Sequence, residues 1–290
     1  MLIVQLVGGL GNQMLQYAML RELQHLGKEA VLYRDYSDEY VKESKYNEIF
    51  DVFGIERKYI SKQELMHYLG YDNIVKRQLY KHFDIRSKKH IVEEEHGKFD
   101  RSFLEYEDAY LDGYWQTDKY FSDVKEDIIK LYTPVLKPND VCARMAEQIK
   151  NDSSSVAVHL RLGDYNSETN QRIYGNICTP EYYRAAFKYI KDKVQNPVFY
   201  VFSNDLDGAR EFFDQENVVF VDCNEVSEAW ADMHLMSLCR HNIIANSTFS
   251  WWGAYLNRND GKIVVAPSKW KNTEEMPDIC PEGWIRIKGN

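Results

Sequence analysis

Residues 2–33 read LIVQLVGGLGNQMLQYAMLRELQHLGKEAVLY. The apolar run from Leu2 to Val7 has the length and composition of a buried strand. Gly8, Gly9 and Gly11 then interrupt it. From Asn12 onward, Met14, Leu15, Ala18, Met19, Leu23 and Leu26 recur at helical spacing, and Gly27 stands where a helix turns left-handed and stops. Ala30 to Tyr33 is a second strand. Strand, glycine turn, helix and strand make a β-loop-α-β unit, so a parallel sheet begins almost at the first residue.

The same alternation returns after residue 155. Apolar runs at 156–160, 197–202, 218–221, 242–245 and 262–266 read as strands. Helical patterns at 179–194, 206–213, 227–240 and 249–257 separate them, the first opened by Thr179 as N-cap with Pro180 at the N1 position. The middle is less regular. Ser61 with Glu64 forms a capping box for a helix through Tyr68. Residues 86–100 carry Lys88-Lys89 and Glu93-Glu94-Glu95 and read as a solvated loop or exposed helix face. A strand is expected over 110–115 and a helix over 118–131. A helix and the polar run 151–155 then lead into a new domain. The expected class is α/β, with two facing Rossmann-like domains, 1–150 and 151–290. A ligand would be enclosed at the carboxyl ends of the strands.

Composition narrows the function. The 290 residues hold 36 Lys and Arg against 45 Asp and Glu, a net charge of −9. A chain this acidic is poorly suited to tracking a nucleic-acid backbone. No apolar stretch approaches about 18 residues, and the N-terminal run lacks a basic region, so neither a membrane span nor a signal peptide is expected. Peripheral association with a membrane stays open. The five cysteines (Cys142, Cys178, Cys223, Cys239, Cys280) are odd in number and never spaced as CxxC. Reduced, mostly buried thiols and a cytoplasmic setting follow.

Three segments carry chemistry. In Gly8-Gly9-Leu10-Gly11-Asn12-Gln13, glycines between a strand and a helix let backbone N–H groups approach an anion. A dinucleotide fingerprint would need glycine where Met14 stands, although Asp35 imitates a ribose-binding acid. In His159-Leu160-Arg161-Leu162-Gly163-Asp164-Tyr165, strand alternation puts His159 and Arg161 on one face. A guanidinium suits phosphate oxygens and an imidazole can bond a ribose, base or phosphate. A buried Arg161–Asp164 ion pair is the plainer reading. In Asn246-Ser247-Thr248-Phe249-Ser250-Trp251-Trp252-Gly253, a strand end with two hydroxyls opens a helix, which is either ordinary capping or an anion site. Asp205-Leu206-Asp207 has the DxD form of some metal-binding transferases, but it also opens a helix, where acids are favoured anyway. No GxSxG elbow supports hydrolase chemistry. No metal site is expected.

On these segments the chain resembles the bacterial alpha-1,2-fucosyltransferases of glycosyltransferase family 11. The resemblance adds Gln16-Tyr17-Ala18, Phe202-Ser203-Asn204-Asp205 and a looser match around Gly113-Tyr114-Trp115-Gln116. It implies a glycosyltransferase B fold and inverting, metal-independent transfer of fucose from GDP-fucose to the 2-hydroxyl of a galactose-terminated glycan. GDP-fucose would be a substrate, with no cofactor. Residues 1–150 would form the acceptor side and 151–290 the donor domain. The resemblance also places Gly9, Gly11, Asn12, His159, Arg161, Ser203, Asp232, Asn246, Ser247, Thr248 and Phe249 at the donor. Arg161 would hold the pyrophosphate, His159 the nucleoside side, and Asp232 the guanine edge. Asn12 would sit near the departing oxygen. Asp164 and His159 join Arg161 and Asn12 as catalytic candidates, and the general base stays unnamed.

Overall fold

Two parallel sheets organise the chain. The structure is a computed structural model that describes residues 1–35, 48–71, 86–162, 168–213, 217–225 and 228–289. The first sheet contains β1 (Leu2–Gln5), β2 (Ala30–Tyr33), β3 (Tyr59–Ile60), β4 (His90–Val92) and β5 (Ala109–Asp112) in the order β3-β2-β1-β5-β4. Every pairing is parallel. Leu2, Ile3 and Val4 are fully buried, as a central parallel strand covered on both faces requires. The helix Leu10–His25 covers one face with Met14, Leu15, Ala18, Met19 and Leu23, and the chain leaves it through Gly27 at φ 80°. The helix Lys62–Tyr68, opened by the Ser61–Glu64 capping box, lies over the other face, where Leu65 and Leu69 meet Ile3, Tyr33 and Tyr110.

Two expectations in this half are corrected. The charged stretch 86–100 contains β4, and Glu93 just beyond it is 2% exposed rather than solvated. The three-residue strand takes its hydrogen bonds from β5, a tertiary cause that leaves no local periodicity. The helix expected over 118–131 is divided into a 3-10 turn Asp118–Phe121 and a helix Lys125–Leu131. Tyr120 and Phe121 are both buried, with Phe121 stacked on Trp252.

The second sheet contains β6 (Ser155–Leu160), β7 (Val198–Ser203), β8 (Val218–Phe220), β9 (His241–Ile243), β10 (Val264–Pro267) and β11 (Ile285–Ile287). Its order is β11-β10-β9-β6-β7-β8, again all parallel. From β6 the chain winds outward to β8 and returns to β9 on the other side, the doubly wound order. The edge strand β11 is one more than the sequence alternation gave. The class is therefore α/β with two Rossmann-like units, as expected. No described helix is long and apolar enough to cross a membrane.

The order of each sheet locates its crevice. A doubly wound sheet opens where neighbouring strands send their connections to opposite faces. In the second sheet that point lies between β6 and β9, whose ends carry Arg161 and Ser247. In the first it lies between β1 and β5, whose ends carry the glycine loop and Gly113 to Gln116. The two crevices meet because the helix Thr248–Tyr255 packs on the helix Leu10–His25. Trp252 Nε1 donates to the Gly11 carbonyl at 2.9 Å, and the Tyr132 hydroxyl donates to the Met14 carbonyl at 2.5 Å. Tyr132 meets Trp252 edge to face at 5.0 Å.

Candidate active site

The three glycines of the first loop have separate tasks. Gly8 adopts φ 81°, the left-handed turn that a side chain disfavours. Gly9 is extended at φ −72°, and a Cβ there would meet nothing within 4 Å. Gly11 is an interdomain contact: its Cβ would lie 2.7 Å from the Thr248 carbonyl carbon and 2.8 Å from the Phe249 nitrogen. The start of one helix thus rests directly on the start of the other.

Neither helix start is capped by a side chain, and neither carries an acid in its first turn. Ser247 occupies the N-cap position of Thr248–Tyr255, but its hydroxyl accepts from Arg161 Nη1 at 3.0 Å. The first amides of this helix are thus left without a side-chain cap. Helix N-termini carry about half a positive charge each, so two in contact beside a guanidinium repel one another unless an anion joins them. His159, 6% exposed, lies with its ring 5.7 Å from Phe249. The Tyr183 hydroxyl donates to its carbonyl at 2.8 Å. Asn12 is fixed from within its own unit, since Gln116, just beyond β5, donates from Nε2 to its Oδ1 at 3.1 Å. Gly9, Gly11, Asn12, His159, Arg161, Ser247, Thr248 and Phe249 thus gather at one place.

Other candidate residues sit differently. Asn246 is buried, and its amide donates to the carbonyls of Tyr174 at 3.2 Å and Trp270 at 3.1 Å, so it braces the loops around the crevice. Ser203 Oγ accepts from the Asp205 amide at 3.1 Å. Asp205 Oδ1 accepts from the Gly208 amide at 3.0 Å, which makes it the N-cap of the helix Leu206–Phe212. Among the described residues no group of His, Cys, Asp or Glu is placed to hold a metal ion. Asp164 lies outside the described residues. Asp232, in the helix Ala229–Leu238, accepts from Asn224 Nδ2 at 2.5 Å. Burial pushes its carboxyl up to about 7, against that hydrogen bond and with help from the charge of Asp222. In the tryptophan segment, Trp251, Trp252 and Gly253 are packing residues. Trp251 Nε1 donates to the Ile279 carbonyl at 2.7 Å, and Gly253 lies against Met236.

A second cluster borders the crevice, and sequence reading missed it. Glu93 Oε2 accepts from the amides of Tyr114 at 2.7 Å and Trp115 at 3.0 Å. It holds Trp115 at φ 54°, an unusual conformation for a bulky side chain. That bend aims Gln116 at Asn12. Burial pushes the Glu93 carboxyl up, against these two bonds and the charges of His96 and Lys271. Across the domain boundary, His96 Nδ1 lies 3.1 Å from Glu274 Oε1, and Lys271 Nζ lies 2.6 Å from the same oxygen. In the sequence, Glu93 is lost in an acidic run. His96, Lys271 and Glu274 have no spacing that marks them.

Comparison with known proteins identifies the family. The family model of glycosyl transferase family 11 matches residues 1–288. An alpha-1,2-colitosyltransferase of Escherichia coli is 31% identical over 297 residues, covering 99% of this chain and 98% of that protein. The O-antigen biosynthesis glycosyltransferase WbnK of Escherichia coli is 31% identical over 309 residues, covering 97% and 99%. Galactoside alpha-(1,2)-fucosyltransferase 1 of Lagothrix lagotricha is 36% identical over 142 residues, 47% of this chain and 38% of that protein. Among solved structures, fucosyltransferase NodZ from Bradyrhizobium aligns at 15% identity with a TM-score of 0.45, covering 87% of this chain and 90% of NodZ.

Proposed function

The chain belongs to glycosyl transferase family 11, and from that membership and the site geometry we propose that it transfers L-fucose from GDP-fucose to the 2-hydroxyl of a terminal galactoside. The transfer inverts the anomeric carbon and needs neither a metal ion nor a cofactor. The enzyme works in the cytoplasm, on a soluble nucleotide sugar. The observation that carries this reading is the contact of two uncapped helix N-termini beside Arg161. Together they are a built site for a diphosphate.

In this reading the guanidinium of Arg161, steadied by Ser247, takes the pyrophosphate oxygens in a forked contact. The amides of Thr248 and Phe249 face the phosphate whose bond to the sugar breaks. His159 borders the nucleoside, and Asp232 takes the guanine edge. As the anomeric carbon–oxygen bond breaks, GDP leaves with the electron pair and gains negative charge. Fixed dipoles and Arg161 meet that charge without reorganising, and removing one such contact typically costs about 10²–10³ in rate. The acceptor hydroxyl attacks the opposite face of the oxocarbenium-like carbon and gives up its proton to a base.

A second reading keeps the site and changes the sugar. The alpha-1,2-colitosyltransferase, 31% identical over nearly the whole chain, favours another GDP-linked donor. One experiment separates the two: GDP release with lactose as acceptor, measured across a panel of GDP-sugars, with the product linkage assigned by NMR. Turnover with GDP-fucose and an alpha-1,2 product supports the first reading. Turnover with a different GDP-sugar alone establishes the second.

A further inference from the structure

The geometry points to His96 as the general base that takes the acceptor's proton. The inference rests on the proposed transfer and supplies the group that the transfer lacks. His96 follows β4 on the first domain, at the carboxyl end of the sheet where the crevice opens. It is about a quarter exposed, within reach of a ligand yet held in place. Its Nδ1 faces both oxygens of Glu274, at 3.1 and 3.2 Å.

The chemistry of that pair fixes the tautomer. Burial alone would raise the Glu274 carboxyl, but Lys271 and His96 together hold it below its usual value. An ionised carboxylate only accepts, so Nδ1 carries the hydrogen and Nε2 keeps the basic lone pair. Among the described residues Nε2 makes no hydrogen bond. This is the arrangement of an oriented base: one ring nitrogen anchored to an acid, the other open.

The surroundings suit a sugar hydroxyl. The ring of Tyr114 stands 5.4 Å from the His96 ring and offers an aromatic wall. Tyr174, whose carbonyl accepts from Asn246 Nδ2 at 3.2 Å, adjoins this cluster; its phenol is pushed up by burial first, then by the charge of Glu274, against the charge of Arg161. The ionisable groups around His96 are Glu93 and Tyr114 on its own domain and Lys271, Glu274 and Tyr174 on the other. In the step itself, the hydroxyl proton passes to Nε2 while the oxygen bonds the anomeric carbon. The bond from that carbon to the diphosphate breaks, and GDP departs with its electrons. Glu274 then stabilises the imidazolium and acts as a positioning residue.

The test uses two substitutions that divide the ring and a third, His96→Ala, that removes it. In His96→Asn the amide nitrogen stands near the place of Nδ1, so it keeps the bond to Glu274 and loses only the base. In His96→Gln the nitrogen reaches toward Nε2. Transfer from GDP-fucose to lactose is followed as a function of pH, and GDP binding is measured by calorimetry. The expected result is a loss of about 10²–10³ in kcat for both variants, with GDP affinity within about twofold of wild type. The limb along which the rate rises with pH disappears, and imidazole restores turnover in His96→Ala. Near-normal kcat in His96→Asn, or a retained pH limb, shows that His96 only ties the domains together and overturns the assignment. If the wild type transfers from no GDP-sugar to lactose or any other galactoside, the proposed function falls first and the base with it.

Discussion

Gly11→Ala should break the protein where Gly9→Ala does not, although both glycines belong to one loop. A methyl group at Gly11 would lie 2.7 Å from the Thr248 carbonyl carbon and 2.8 Å from the Phe249 nitrogen and the Thr248 oxygen. These are backbone atoms at a helix start, so no rotamer change relieves the clash. The two helices must separate, and with them goes the 2.9 Å bond from Trp252 Nε1 to the Gly11 carbonyl. Overpacking costs about 1–3 kcal/mol, and a buried indole N–H left unpaired costs about 1–3 kcal/mol more. The total of roughly 2–6 kcal/mol lowers Tm by about 4–12 °C in a chain of this size. At Gly9 a Cβ meets nothing within 4 Å, and φ is −72°. Alanine there costs at most about 1 kcal/mol as a poorer N-cap and shifts Tm by about 2 °C. Thermal unfolding followed by circular dichroism, with and without GDP, reads both. A Gly11→Ala protein that melts within 2 °C of wild type, or a Gly9→Ala protein that falls as far, refutes the contact-based reasoning.

Arg161→Lys, which keeps the charge and loses the fork, should lower transfer by at least about 10²-fold with Tm nearly unchanged. Turnover near wild type would remove the bidentate role. Asp232 has its folded carboxyl raised to about 7 from 3.8. The stability from its neutral form is therefore complete below about 4 and is lost as pH rises through about 7. Asp232→Asn should gain in Tm over wild type as pH goes from 5 to 8. On the proposed role of Asp232 against guanine, GDP affinity should rise through pH 7 in wild type and stay flat in the variant. Transfer should survive EDTA, because Asp205 is engaged as a helix cap. Loss on chelation with rescue by Mn²⁺ would return Asp205 and Asp207 to the site. Glu93→Ala strands two buried amides and should cost about 2–4 kcal/mol by urea unfolding, while Glu93→Gln, which keeps an acceptor oxygen, should retain most of the stability.

The first β-loop-α-β unit was legible because each of its signals is local. Leu2 to Val4 is uniformly buried, Gly27 ends its helix left-handed, and the Ser61–Glu64 box caps the next one. The strands and helices after residue 155 were legible for the same reason, and they place Arg161 and Ser247 side by side. Residues near β4 were illegible because their fates are set by distant partners. Glu93 is buried by the amides of Tyr114 and Trp115, some twenty residues on. His96 meets Glu274 across a separation of 178 residues. A run of three glutamates gives no hint that its first member is internal. The glycine loop was read as bringing backbone N–H groups to an anion, and a sequence cannot say what else approaches: at Gly11 it is the backbone of the helix that opens at Thr248.

An anion site can exist in a chain of net charge −9 because charge acts locally here. Two helix ends and one guanidinium supply together about +2, matching the roughly two negative charges of a sugar diphosphate. The many surface carboxylates are screened beyond about 8–10 Å and contribute little inside the crevice. Matching in the bound state has a kinetic consequence. As the sugar leaves, the diphosphate gains charge that the ground-state balance does not cover. In the proposed transfer, stabilisation of the transition state then comes from dipoles already in place, the amides of Thr248 and Phe249 and the side chain of Asn12. Those groups are held by Gly11, Trp252 and Gln116, none of which needs to touch the donor. Substitutions of these supporting residues should therefore lower kcat more than they weaken GDP binding, whereas removing Arg161 should harm both.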